Sequence, residues 1–330
     1  MITRRALVLG CTIFFILLQC AKENPPDALG GPESLAHYPD SLPLETVCRN
    51  ISRECFIRFK FKKSGDISRY DSTLCRVADS LKKVLGVKAG TLEGAEAIVS
   101  VVYDKWGIGF DPCDAVLETL LPALVFERKK GACLGVSLII LTLAQRIQCP
   151  ISGVLLPGHF FCRYTSGAFS RNIEPNLAGV DHPDEYYRQK YLSSNTPGYD
   201  LGNMSDAAAV GVLYYNLGAQ CFIRGDPGAA VACFKETVRR IPGFLEAKGN
   251  LALAWRRCGN RDSARVLLEG LFAAHPDLQH CAENYGLAVV EDGDFPKAIA
   301  VFQKGLEYFP KDTALLRGLA QAYRGNSHVP

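Results

Sequence analysis

Net charge is scarce in this chain. The 37 lysines and arginines and 34 aspartates and glutamates leave a formal charge of +3 over 330 residues, which excludes the basic footprint of a nucleic-acid binder. No two of the 13 cysteines form a C-x-x-C pair and no Cys/His cluster stands at metal-ligand spacing, so no zinc site is expected, and no other metal or cofactor. Disorder is excluded by composition: 48% hydrophobic and 22% charged residues are ordinary for a globular protein, and the length suggests about two domains.

The first apolar run, Ala6 to Leu18, is too short to cross a bilayer as a helix, and Arg4 and Arg5 precede it. That is the pattern of an export signal. The run closes on Leu17-Leu18-Gln19-Cys20, which resembles a bacterial lipobox, where a peptidase cuts before the cysteine and the thiol is lipidated. Gln19 stands where that motif has a small residue. Val8-Leu9-Gly10-Cys11 fits the local motif better but strands an apolar run behind it, so Cys20 is the lipidation candidate. Lys22 to Glu33, rich in Pro, Gly, Asp and Glu, reads as a polar tether. The expected layout is a signal peptide at 1–20 and a tether at 21–37, in an exported chain lipid-anchored to a membrane of the bacterial cell envelope. An uncleaved anchor or a buried helix is the other reading of this run.

Residues 38–200 mix signals. Ile57, Phe59 and Phe61 alternate with Arg58, Lys60 and Lys62, a period of two that predicts a half-buried strand with a solvated basic face. Leu74, Val77, Ala78, Leu81, Val84 and Leu85 follow at helical spacing, with Gly86 where the helix would stop. Further helices are predicted at about Leu92 to Trp106 and Ala115 to Phe126. Cys133 to Ile147 is apolar on every side, the signature of a buried central helix, and Pro150 closes it. Ile151 to Tyr164 and Phe169 to Pro175 read as strands joined by a turn at Thr165-Ser166-Gly167-Ala168. Centring that turn on Ser166-Gly167 sets His159 directly opposite Glu174, about 5 Å away at Cβ. Asp181 to Gly202 shows no helical period and reads as a connector.

Beyond Asp206 the sequence is periodic. Gly225, Gly259 and Gly293 are 34 residues apart, as are Ala230, Ala264 and Ala298, and Pro242, Pro276 and Pro310. Leu217, Leu251, Tyr285 and Leu319 keep the same step, as do Gly218, Ala252, Gly286 and Ala320. Small residues at fixed phase let paired helices approach, each glycine ends a first helix, and each proline ends a second. Asp226, Asn260 and Asp294 stand where the second helix needs a cap. The pattern resembles the tetratricopeptide repeat, with units at about 211–244, 245–278 and 279–312 and a capping helix at 313–324 within a repeat region 207–330. That resemblance implies an all-α solenoid of seven helices that holds a protein or peptide partner.

Chemistry is expected in the middle domain. Gly131-Ala132-Cys133 opens the buried helix, where exposed amides and the helix dipole favour a thiolate. A neutral imidazole would activate that nucleophile, and an acid behind it would fix the tautomer. His159 and Glu174 suit the two roles. Cysteine, histidine and acid on helix, strand and strand is the order of the transglutaminase-like fold, a relative of the papain-like proteases. Asp114-Ala115-Val116-Leu117, Lys130 to Leu138, and Gly153-Val154-Leu155-Leu156-Pro157-Gly158-His159-Phe160 together resemble its SirB-type branch, over about Leu74 to Tyr191. Many members of that branch have proline where Cys133 stands, and Glu174 replaces a more usual aspartate. The resemblance implies an α+β core followed by the repeats, a triad of Cys133, His159 and Glu174, and cysteine-dependent acyl transfer by a peptidase, amidase or transamidase. The alternative is a non-catalytic envelope scaffold that binds partner proteins through the repeats. Each site residue also has a bland role: Cys133 as a buried small hydrophobe, His159 as a core histidine, and Glu174 as the partner of Arg171 or Arg163. Cys149 and Cys162 are expected to be structural.

Overall fold

The computed structural model describes residues 37–59, 67–111, 116–192, 198–278 and 280–327. The signal peptide, nearly all of the tether and Cys20 lie outside the described residues. Among the described residues, no helix is long and apolar enough to cross a membrane.

The first element among the described residues is α1 (Leu44–Arg58), a helix that takes in Ile57 and Arg58 of the expected strand. Leu44, Val47, Cys48, Ile51 and Cys55 recur at helical spacing and are all buried, a longer apolar stripe than the short alternation at 57–62. The residues of that alternation after Phe59 lie outside the described range. Ile57, an inward residue if strand, is 79% exposed on the helix instead. The next helix, α2 (Ile67–Leu85), ends at Gly86 with φ +56°, the left-handed conformation that favours glycine. A 3-10 turn, Gly86–Gly90, leads into α3 (Leu92–Ser100), whose last stretch widens into a π-helical turn, Val101–Lys105. The helix predicted to reach Phe126 is two pieces, α4 (Leu117–Leu120) and α5 (Pro122–Arg128). Leu121 between them is extended, as a residue before proline prefers.

Two short strands, β1 (Gly109–Phe110) and β2 (Lys130–Gly131), pair in parallel and deliver the chain to α6 (Cys133–Ile147). Leu134, Val136, Leu138, Ile139, Ile140, Leu141 and Leu143 are all buried. The helix packs against α1 to α5 on one side and, on the other, against an antiparallel sheet of β3 (Ile151–Leu156), β4 (His159–Ser166) and β5 (Phe169–Ile173), ordered β3-β4-β5. Pro157-Gly158, with Gly158 at φ +65°, turns β3 into β4, the composition of a type II turn.

The second hairpin differs from its expected register. Its turn is centred on Gly167-Ala168, so Ser166 pairs with Phe169 and Cys162 with Ile173. Gly167 takes φ +58°, and placing it first in the two-residue turn moves the register by two. Parity survives such a shift, so His159 and Glu174 still share a face, but as diagonal rather than direct neighbours. The predicted connector is a helix in part: α7 (Asp184–Tyr191), opened by Pro183 and two acidic residues, lies across the outer face of the sheet.

Seven helices follow: α8 (Asp206–Ile223), α9 (Pro227–Arg240), α10 (Leu245–Arg257), α11 (Arg261–Ala274), α12 (Cys281–Glu291), α13 (Phe295–Tyr308) and α14 (Thr313–Ser327). Each packs on the next, and α8, α10, α12 and α14 also touch in succession. The 34-residue step is visible in the backbone. Gly225, Gly259 and Gly293 take φ of +80°, +83° and +80°. Asp226, Asn260 and Asp294 accept from the amides of Ala229, Ser263 and Lys297. A Cβ on Gly218 would stand 2.8 Å from the Phe234 ring, and one on Gly286 2.5 Å from Phe302. Arg58 at the end of α1 pairs with Asp226, and Asp40, ahead of α1, with Arg239 and Arg240, tying α1 and the segment before it to the repeats.

Candidate active site

Cys133 is the first residue of α6, half-buried, and carries a thiol rather than a disulfide. The turn beneath it is tight. A Cβ on Gly131 would lie 2.6 Å from Val125, and one on Gly135 would collide with the Thr119 carbonyl. That carbonyl already accepts from the Ala132 amide at 3.0 Å. Ala132 occupies the cap position and has no side-chain oxygen to give the first-turn amides. Those donors, with the positive end of the helix dipole, face whatever stands before the helix.

His159 begins β4, just past the Gly158 turn, and its side chain has no exposed surface. Its Nε2 lies 2.8 Å from Glu174 Oε2. The other carboxylate oxygen, Oε1, accepts from the Asn176 amide at 3.0 Å. Burial by itself would raise the Glu174 carboxyl. The hydrogen bond and charge of His159 oppose it, joined by the Asn176 amide and the nearby Tyr187 hydroxyl, and the net position is below the usual carboxylate range. The diagonal register explains the residue type: glutamate carries one more methylene than aspartate and so spans the longer diagonal. The alternative partners are engaged elsewhere, Arg163 with Asp184 and Asn172, Arg171 with Glu96.

Strand alternation divides the site between two faces. Phe160, Cys162 and Tyr164 point toward α6, and the Cys162 thiol donates to the Ser137 carbonyl at 3.7 Å. His159, Phe161 and Arg163 point away, under α7. There the His159 ring stacks on Tyr191 at 4.5 Å between centroids, with Tyr187 and Phe161 at 6.2 and 6.0 Å. Imidazole Nδ1 is buried and makes no hydrogen bond among the described residues, with the Cys133 thiol or any other group. The two residues do share an end of the molecule. Along α6 and β4, which run side by side, Cys133 and His159 are the first residues of each, and Ser137 and Cys162 come next in step.

Residues 68–180 match the family model of the transglutaminase-like superfamily. The transglutaminase-like domain thus contains Cys133, His159 and Glu174 but ends before α7. No curated protein matches the chain. Within the domain, burial pushes the Cys162 thiol up to about 12 against the opposing bond to Ser137, with Glu174 adding to the rise, and burial alone takes Cys149 to about 12. Both are inert as nucleophiles at neutral pH. The aromatic cover over His159 was not anticipated from sequence, although Pro183-Asp184-Glu185 is a helix start and Tyr187 and Tyr191 are four apart, on one helical face.

Proposed function

We propose that the chain is a membrane-tethered, cysteine-dependent acyl-transfer enzyme acting on amides as a peptidase, amidase or transamidase, with a tetratricopeptide-like repeat region that binds a protein or peptide. The observation that carries this reading is the buried His159–Glu174 pair with Nδ1 left without a hydrogen bond among the described residues. Its carboxylate holds one ring nitrogen and leaves the other as the base. In the proposed reaction the Cys133 sulfur attacks the amide carbonyl carbon, and its proton passes through His159 to the leaving amine. The C–N bond breaks and a thioester forms, which water or a second amine then opens to regenerate the thiol. First-turn amides of α6 are suited to receive the oxyanion. The match to the transglutaminase-like superfamily supports the reaction class, not the substrate. For the repeats, support comes from the 34-residue backbone step and from a cleft of about 660 Å³ between α10 and α11, lined by Leu245, Lys248, Trp255, Leu267, Leu271 and His275.

A second reading has its own observation. His159 is fully buried on the α7 side of the sheet, where the pair with Glu174 fastens α7 and the domain serves as a non-catalytic scaffold. Iodoacetamide labelling at pH 7, mapped by mass spectrometry on the full chain, separates the two. The enzyme reading expects Cys133 to react ahead of Cys75 and Cys258 and to slow in His159→Ala. Equal rates in the two proteins, with Cys133 no faster than Cys258, would leave only the scaffold.

A further inference from the structure

We propose that the tip of the molecule formed by the end of α2 and the 3-10 turn after it rests on an anionic lipid surface, through Val84 and Val87 set among Lys82, Lys83 and Lys88. This rests on the reading that the chain is tethered to a membrane, and adds to it which face meets the lipid.

Val84 is 79% and Val87 96% exposed. They are three residues apart across Gly86, whose positive φ ends α2 and turns the chain outward, so one projects from the last helical turn and the other from the corner beyond it. Lys82, Lys83 and Lys88 are exposed around them. The acids at this tip are Asp79 and Glu93, and Glu93 pairs with Lys88 at 3.0 Å, leaving the cationic side ahead. Projecting aliphatic side chains ringed by lysine suit the boundary between headgroups and acyl chains, where the methyl groups leave water while the ammonium groups meet lipid phosphates.

The position of the tip selects lipid over a protein partner. The Gly90 backbone lies against the Gln148 carbonyl, and the Cys149 thiol donates to the Thr91 carbonyl at 3.7 Å, so the tip stands at the C-terminal end of α6. The N-terminus of the described chain is fastened at the same end. The Leu44 amide donates to Gln145 Oε1 at 3.0 Å, Gln145 Nε2 donates to Asp206 at 2.7 Å, and one cleft of about 690 Å³ joins Asp40, Gln145, Arg146 and Asp206. Asp40 is held there by Arg239 at 2.8 Å and Arg240 at 2.6 Å. The 36 residues before His37, with their apolar run, therefore join the body at the same end of α6 as the valine tip. Cys133 opens the opposite end of α6, 15 residues and about 22 Å away, so a tip resting on lipid turns the candidate site outward.

Quenching by bromine-labelled acyl chains tests this. The full chain carrying Val87→Trp is mixed with vesicles of phosphatidylcholine and phosphatidylglycerol, with Val266→Trp on α11 as the control. The expected result is a loss of emission from the Val87→Trp chain on brominated vesicles, relieved by adding Lys82→Glu and Lys83→Glu, with the control unchanged. A chain that sediments with the vesicles but shows no loss, or equal loss in the control, overturns the docking and leaves the tether standing. A chain that stays in the supernatant overturns both.

Discussion

Tyr191 lies flat over the His159 imidazole, centroids 4.5 Å apart and planes within 5°. The ring belongs to α7, beyond the segment that matches the transglutaminase-like superfamily, and so this chain closes one side of its candidate base with a helix of its own. Tyr187 stacks on Phe161 at 4.0 Å in the same layer, which makes α7 an aromatic plate rather than a loose strap.

Removing the plate's edge should expose the base. Tyr191→Ala is expected to cost about 1 kcal/mol or more, since aromatic stacks contribute about 0.5–1.5 kcal/mol beyond the area they bury. His159 should become open to diethylpyrocarbonate, while Tyr191→Phe leaves it protected. Peptide mapping of the carbethoxylated histidine checks this; protection that persists in Tyr191→Ala would mean that Tyr191 does not shield the ring.

The Glu174 carboxyl should impose a pH dependence on folding. Its folded pKa is lowered, the His159 bond and its allies outweighing burial. Its contribution is therefore fully present above the unfolded value of about 4.3 and is lost as pH falls through the lower folded value. Glu174→Gln should cost about 1–3 kcal/mol at pH 7, the penalty for disturbing a buried hydrogen-bonded partner. The difference between variant and wild type should shrink on acidification. Urea midpoints measured from pH 7 down to the acid range read both, and a constant gap across that range would contradict the prediction.

Two glycines in the repeats should respond oppositely to alanine. In Gly286→Ala the added Cβ meets Phe302 at 2.5 Å, an overpacking that costs about 1–3 kcal/mol. Gly249, inside α10, has open space where a Cβ would go, so Gly249→Ala should stabilise by about 0.5–1 kcal/mol through helix propensity. Thermal midpoints of the two variants should move in opposite directions.

Asp226 has two tasks that a conservative change separates. It caps α9 through the Ala229 amide and pairs with Arg58 of α1. Asn260 performs the capping task at the equivalent place with an amide, so Asp226→Asn should keep the helix start and lose only the ion pair. Hydrogen exchange should quicken where α1 meets α8 in Asp226→Asn, and at the start of α9 as well only in Asp226→Ala.

The legible parts of this protein were those written in many residues at once. The glycines, caps and prolines of the repeats recur in phase, and α6 is apolar all round, so local preference and burial agree. Short signals failed where a longer one competed. At Ile57 and Arg58, the start of a six-residue alternation, the strand pattern gave way to the stripe Leu44, Val47, Cys48, Ile51 and Cys55. A single extended residue before Pro122 divided a helix that periodicity had drawn whole. The pairing of His159 with Glu174 survived a misplaced turn because a two-residue shift preserves strand parity; a one-residue shift would have separated them. The cover from α7 stayed hidden because its tyrosines and charges lack the apolar period by which helices are read.

Val210, Leu213, Tyr214 and Leu217 of α8 are buried in the same core as α6 and β4. The first helix of the array is thus also a wall of the transglutaminase-like domain. The two regions therefore hold one helix in common, and a change that loosens α8 is expected to unsettle both at once.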